Sequence, residues 1–118
     1  MNDLENLKIY QNIVDLLYYT YNITNKYPKN EKNGLVSDIK NHSTKLLEEI
    51  IKAQKEYITS NRIIYLNNAD SELKVIKVLV RISYKFKYIN SRNYGSWSRK
   101  LANVANPLLG WIKKCQRQ

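Results

Sequence analysis

Cysteine, histidine, glycine and proline are all scarce in this 118-residue chain, which has one Cys, one His, three Gly and two Pro. A lone Cys115 cannot close an internal disulfide, which excludes a disulfide-stapled design and fits a reducing compartment. His42 beside that single thiol leaves no zinc site built from His and Cys ligands within one chain. The di-iron signature of helical bundles needs Glu-x-x-His on two helices, and none occurs. Gly34, Gly95 and Gly110 are scattered and form neither a phosphate loop nor a dinucleotide fingerprint. Glu48 and Glu49, the one acidic pair, have lysine neighbours at helical spacing and read as a solvated face. The expectation is a protein without catalytic residues, metal or cofactor.

Long apolar runs are missing as well. No stretch of about 18 uncharged apolar residues is available to span a bilayer. Met1-Asn2-Asp3-Leu4-Glu5 carries acids where a secretion signal needs a basic start. A cytoplasmic location is expected, and the length predicts a single domain over residues 1–118.

The most informative absence is that of acids in the second half. Residues 1–60 hold eight Lys/Arg and eight Asp/Glu, a net of zero. Residues 61–118 hold twelve Lys/Arg against Asp70 and Glu72, so 12 − 2 = +10. From Leu73 onward there are eleven basic side chains and no acid. Solubility does not call for such segregation, since interspersed signs serve it equally well. A one-sided positive potential attracts polyanions and releases their counterions. Nucleic acid is the first expectation, an acidic protein partner the second and an anionic membrane surface the last; no membrane partner is expected.

What is present is helical periodicity. Apolar positions recur every three or four residues over four segments, predicted at 4–25, 35–58, 61–89 and 92–114. Ile9, Ile13, Leu16, Leu17, Thr20 and Thr24 share one arc of the first. Leu35, Ile39, Leu46, Leu47, Ile50, Tyr57 and Ile58 share one of the second, with His42 at its edge as a boundary hydrogen-bonding residue. Ile76, Leu79, Val80, Ser83 and Phe86 line the third, and Tyr94, Trp97, Leu101, Ala105, Leu108 and Ile112 the fourth. Pro28 and Gly34 bracket the first break, Ser60 is the expected cap of the third helix, and Asn90-Ser91 marks the last turn. Asn67-Asn68 suggests an irregularity within the third helix, and Pro107 a kink in the fourth. Four such helices joined by short loops specify an all-α fold, an antiparallel up-and-down four-helix bundle.

On the third helix Lys74, Lys77, Arg81 and Lys85 make a stripe about 80° wide opposite the apolar arc, and Arg92 would extend it if the helix continued. Tyr84 and Tyr88 border the stripe, so cations for phosphates lie beside rings on which unpaired bases can stack. Arg99, Lys100, Lys113 and Lys114 add charge to the outward side of the fourth helix. No helix-turn-helix or zinc-finger spacing supports sequence-specific reading of DNA. Ten tyrosines against one phenylalanine suit surfaces that are part wet and part buried, and Tyr18 and Tyr19 project toward the polar side of the first helix as interface candidates.

Several stretches together carry a resemblance. Lys26-Tyr27-Pro28-Lys29, then Leu35 and Ile39, then the run Leu46-Leu47-Glu48-Glu49-Ile50-Ile51-Lys52-Ala53 resemble the aromatic-Pro-basic loop and second helix of Avd, the accessory variability determinant of diversity-generating retroelements. The run from Leu73 to Arg81, with Tyr88-Ile89, is similar to its third helix; Tyr94, Ser98, Leu101 and Leu108-Leu109-Gly110-Trp111-Ile112-Lys113 are similar to its last, which usually ends in Leu-Gly-Gly-Trp. Leu109 in place of the first Gly, and Pro107, are departures from that pattern. The resemblance implies a homopentamer of four-helix bundles with a basic surface. It also implies that the protein binds the element's reverse transcriptase together with RNA or DNA during mutagenic copying. Lys74, Lys77, Arg81 and Lys85 then match the basic positions of the third helix, and Trp111 becomes a third interface candidate. Ribosomal-RNA intervening-sequence proteins share the bundle and the Pro-loop without the Gly-Trp ending, and stand second.

Overall fold

The apolar periodicity resolves into α1 (Asp3–Thr24), α2 (Leu35–Lys55), α3 (Thr59–Lys85) and α4 (Ser91–Gln116), with a short 3-10 turn at Lys29–Glu31. The computed structural model describes residues 3–117, with side chains over 8–117, and among these there is no strand. Each helix buries one stripe. Ile13 and Leu16 from α1, Ile39, Leu46 and Ile50 from α2, Leu66 and Ile76 from α3, and Trp97, Val104 and Leu108 from α4 are fully enclosed in a single core. At about 1.5–3 kcal/mol for each large apolar side chain buried, this core outweighs any single polar contact. Helices adjacent in the chain pack on one another, and α1 closes the set against α4.

Polar contacts fix the register of that closing seam. The Trp97 indole N–H donates to Thr20 Oγ1 at 3.1 Å in a fully buried setting, while the Thr20 hydroxyl donates back to the Leu16 carbonyl at 2.7 Å. Tyr19 sits edge-on to Trp97 and donates its hydroxyl to the Asn93 carbonyl at 3.3 Å. Further along, Lys100 meets Asp15 at 2.9 Å. Asn12 Nδ2 donates to the Asn103 carbonyl at 3.0 Å. That carbonyl is the acceptor four residues before Pro107, which has no N–H to offer it, so a side chain of α1 satisfies the group that proline orphans. α4 continues through Pro107 to Gln116.

The ends of α2 and α3 depart from the periodicity. α2 stops at Lys55, three residues before the expected end, because Arg62 reaches back from α3: Nε donates to the Ala53 carbonyl at 3.0 Å and Nη2 to the Glu56 carbonyl. Glu56 and Ile58 are extended, so Tyr57 and Ile58, expected in the core, are 95% and 59% exposed. Ser60 lies inside α3 rather than capping it, and α3 runs without interruption through Asn67-Asn68. α3 then ends at Lys85, four residues before the expected end, which turns Phe86 out of the core. The cap of α4 is Asn90, whose Oδ1 accepts from the Asn93 N–H at 2.8 Å.

Replacing Thr20 by Val keeps the volume and strands the buried indole N–H. Thr20→Val is expected to lower unfolding stability by about 1–3 kcal/mol, read as a fall in the denaturation midpoint at unchanged m-value.

Candidate nucleic-acid interface

α3 presents its cations because Leu73, Ile76, Val80 and Ser83 take the inward positions. Lys77, Arg81 and Lys85 follow at four-residue spacing, are exposed, and make no ion pair among the described residues. Lys74 shares the stripe but is held by Asp70, one turn earlier. Glu72, the other acid of the C-terminal half, is taken by His42 of α2 at 2.5 Å. Both acids of the C-terminal half are therefore engaged, Glu72 by His42 and Asp70 by Lys74, although Asp70 shares a groove with Lys77. His42 is the boundary hydrogen-bonding residue that its place on the wheel implies.

Other expected members fall elsewhere. Arg92 does not extend the α3 stripe, since that helix ends at Lys85; it is exposed on the first turn of α4. Arg99 is exposed on α4, with Nη2 donating to Ser96 Oγ at 3.2 Å. Lys100 is not a free cation. Its ammonium is half-buried, paired with Asp15 and 5.4 Å from the centre of the Tyr19 ring. Tyr84 is partly exposed beside the stripe, with one ring face stacked on Tyr94 at 4.7 Å. Tyr88 is half-buried, tilted against Tyr27, and donates its hydroxyl to Glu31 Oε2 at 2.8 Å. That bond to a carboxylate, with lesser desolvation, raises the Tyr88 pKa.

The interface candidates divide. Tyr18 is 71% exposed and continues a ridge with Tyr10 and Val14 along α1. Tyr19 is a packing residue of the α1–α4 seam, committed to Trp97 and Asn93. Trp111 lies within the protomer at 5% exposure, its buried indole N–H without a hydrogen-bond partner. Neither Tyr19 nor Trp111 offers a surface of its own, because both fill the space beside α1 that an outward position on a helical wheel cannot reveal.

The turn between α3 and α4 contributes residues that periodicity did not indicate. The Phe86 N–H bonds to the Ile82 carbonyl, the Lys87 N–H to Tyr84 and the Tyr88 N–H to Ser83, the pattern of a Schellman cap. Lys87 occupies its left-handed position at φ 64°, a place that favours glycine. Across the turn, Glu31 Oε1 accepts from the Leu35 N–H at 3.2 Å while Oε2 holds Tyr88, so one carboxylate caps α2 and ties its loop to the turn. A Cβ at Gly34 would lie 2.6 Å from that capping oxygen, so a side chain there would push the Glu31 carboxylate aside. Among the described residues no group of three or more His, Cys, Asp or Glu is placed to hold a metal ion. Nor is any helix long and apolar enough to cross a membrane.

A family model described as bAvd-like matches residues 7–115, which takes in nearly the whole of all four helices. Among curated proteins no match is found.

The left-handed lysine has a measurable cost. Lys87→Gly is expected to stabilise the fold by about 1 kcal/mol, read as a rise of a few degrees in Tm.

Proposed function

The chain belongs to the bAvd-like family, and on that footing we propose that it is a non-enzymatic accessory subunit of a diversity-generating retroelement. It binds template RNA or its cDNA through the outward face of α3 and the start of α4, and associates with the reverse transcriptase during mutagenic copying, in the cytoplasm. The observation that carries this reading is the exposed, unpaired run Lys77, Arg81 and Lys85 in a half of the chain whose two acids are both engaged elsewhere. A cation already neutralised by a fixed carboxylate gains little from a phosphate; these three have no such partner among the described residues. Binding of this kind is electrostatic and carries no base-reading code.

The arrangement we propose is an antiparallel up-and-down bundle. Five residue pairs support it: Asn12 with Asn103 and Tyr19 with Asn93 across α1 and α4, His42 with Glu72 and Ala53 with Arg62 across α2 and α3, and Tyr84 with Tyr94 across α3 and α4. The bundle assembles as a homo-oligomer, a pentamer by family. The surface we assign to that assembly is the ridge of α1 on which Val14 and Tyr18 are exposed beside the half-buried Tyr10.

Two measurements test these statements. Replacing Lys77, Arg81 and Lys85 together by Glu should abolish binding to single-stranded nucleic acid without loss of helicity. Single charge-removing changes should flatten the slope of log affinity against log salt by about 0.7 each; unchanged binding by the triple variant overturns the assignment. For assembly, Val14→Glu with Tyr18→Glu should yield monomers in multi-angle light scattering. Parent protein that is itself monomeric, or a variant that stays assembled, overturns the choice of that ridge.

A further inference from the structure

Phe86, the only phenylalanine, is 59% exposed directly after α3. The left-handed Lys87 bends the chain so that the rings on either side of it meet: Phe86 and Tyr88 stack at 5.5 Å with planes 22° apart. Tyr88 cannot swing away. Its hydroxyl is anchored to Glu31 and its ring rests on Tyr27. The result is an apolar ring backed by a fixed aromatic support and still largely open to water.

The ground around it is cationic. Its chain neighbours Lys85 and Lys87 line a shallow groove of about 600 Å³ with Tyr84 and Tyr88, beside the Phe86 ring, which does not itself line it. Arg92 follows on the first turn of α4. The Glu31–Tyr88 bond brings up the loop that carries Lys26, Lys29 and Lys32. Against these six cations stand Asp38, one turn into α2, and Glu31, whose two oxygens are already accepting hydrogen bonds. Exposed aromatic surface within a cationic rim is what unpaired bases require: the backbone meets charge and a base meets a ring. A duplex keeps its bases stacked on one another and has no use for such a ring.

We infer that the loop end of the bundle is a single-strand site, in which an unpaired base stacks on Phe86 while Lys85, Lys87 and Arg92 hold the flanking phosphates. This rests on the nucleic-acid reading above and adds to it the strandedness of the ligand and the residue that selects it. The backbone strain at Lys87 acquires a purpose, since it sets the two rings together.

The test compares the full-length parent, Phe86→Ala and Phe86→Tyr by fluorescence anisotropy, on a labelled oligouridine and on a labelled RNA duplex of equal length. Circular dichroism verifies folding, which an exposed ring should not affect. Phe86→Ala should weaken single-strand binding about tenfold at fixed salt, leave the salt slope unchanged and leave duplex binding unchanged; Phe86→Tyr should bind as the parent does. Single-strand binding unaffected by Phe86→Ala, or an equal loss on the duplex, overturns the stacking site. If binding is meanwhile lost in the Lys77, Arg81 and Lys85 triple variant, the broader nucleic-acid reading stands without it. A parent protein that binds neither oligonucleotide overturns both.

Discussion

The seam between α1 and α4 turns on one buried hydrogen bond, from the Trp97 indole to Thr20. Trp97 is the largest wholly enclosed side chain, and its N–H has no water to fall back on. It is satisfied only when Thr20 stands opposite, which sets the two helices in a single register. Everything along the seam inherits that register: Asn12 reaches the carbonyl that Pro107 leaves unpaired, and Asp15 reaches Lys100. Hydrophobic burial alone would tolerate a slide of one turn, because a periodic stripe looks similar after each turn. The polar pairs would not.

The same seam determines which cations remain available. Asp15 sits opposite Lys100 only because the register places it there, and that lysine is thereby spent on structure. His42 removes Glu72 in the same manner, and Asp70 acts one turn before Lys74. Of the twelve basic side chains beyond residue 60, Lys77, Arg81 and Lys85 follow one another along α3 and Lys87 and Arg92 continue at the loop end, while Arg99, Lys113, Lys114 and Arg117 belong to α4 and its end.

Much of the fold could be read from residue order, since helix period is a local property. Spacing alone puts Ile13, Leu16, Ile39, Leu46, Ile76 and Trp97 on the inward arcs, and all six are buried. The errors lie where the outcome depends on distant partners. Tyr57 and Ile58 continued the apolar arc of α2, but Arg62 captures the carbonyls of Ala53 and Glu56 and ends the helix first. Phe86 fitted the arc of α3, but a lysine in a glycine-like conformation closes that helix one residue later. At the candidate site the α3 stripe was legible because it is a single helix face. The loss of Lys100 to Asp15 was not, with 85 residues between them. The role of Tyr19 against Trp97 and the enclosure of Trp111 were equally out of reach, both being decided by which helix lies alongside.

Charge also constrains how copies of this protein can come together. Each carries +10, all of it beyond residue 60, so faces built from α3 repel one another at close range. A contact between copies must then either use the neutral half, where Val14 and Tyr18 stand exposed on α1, or enclose a polyanion that offsets the repulsion. These routes reinforce each other. In the proposed assembly, copies joined through α1 would add their α3 faces to one another and so multiply the positive field that one protomer supplies. A nucleic-acid strand held by several such faces gains affinity from each without any new contact chemistry, because the second engagement is intramolecular once the first has formed. Segregating charge by sequence half thus serves both parts of the proposed function: α1 is spared the repulsion that α3 faces would meet, and the cations of α3 stay together for a phosphate backbone.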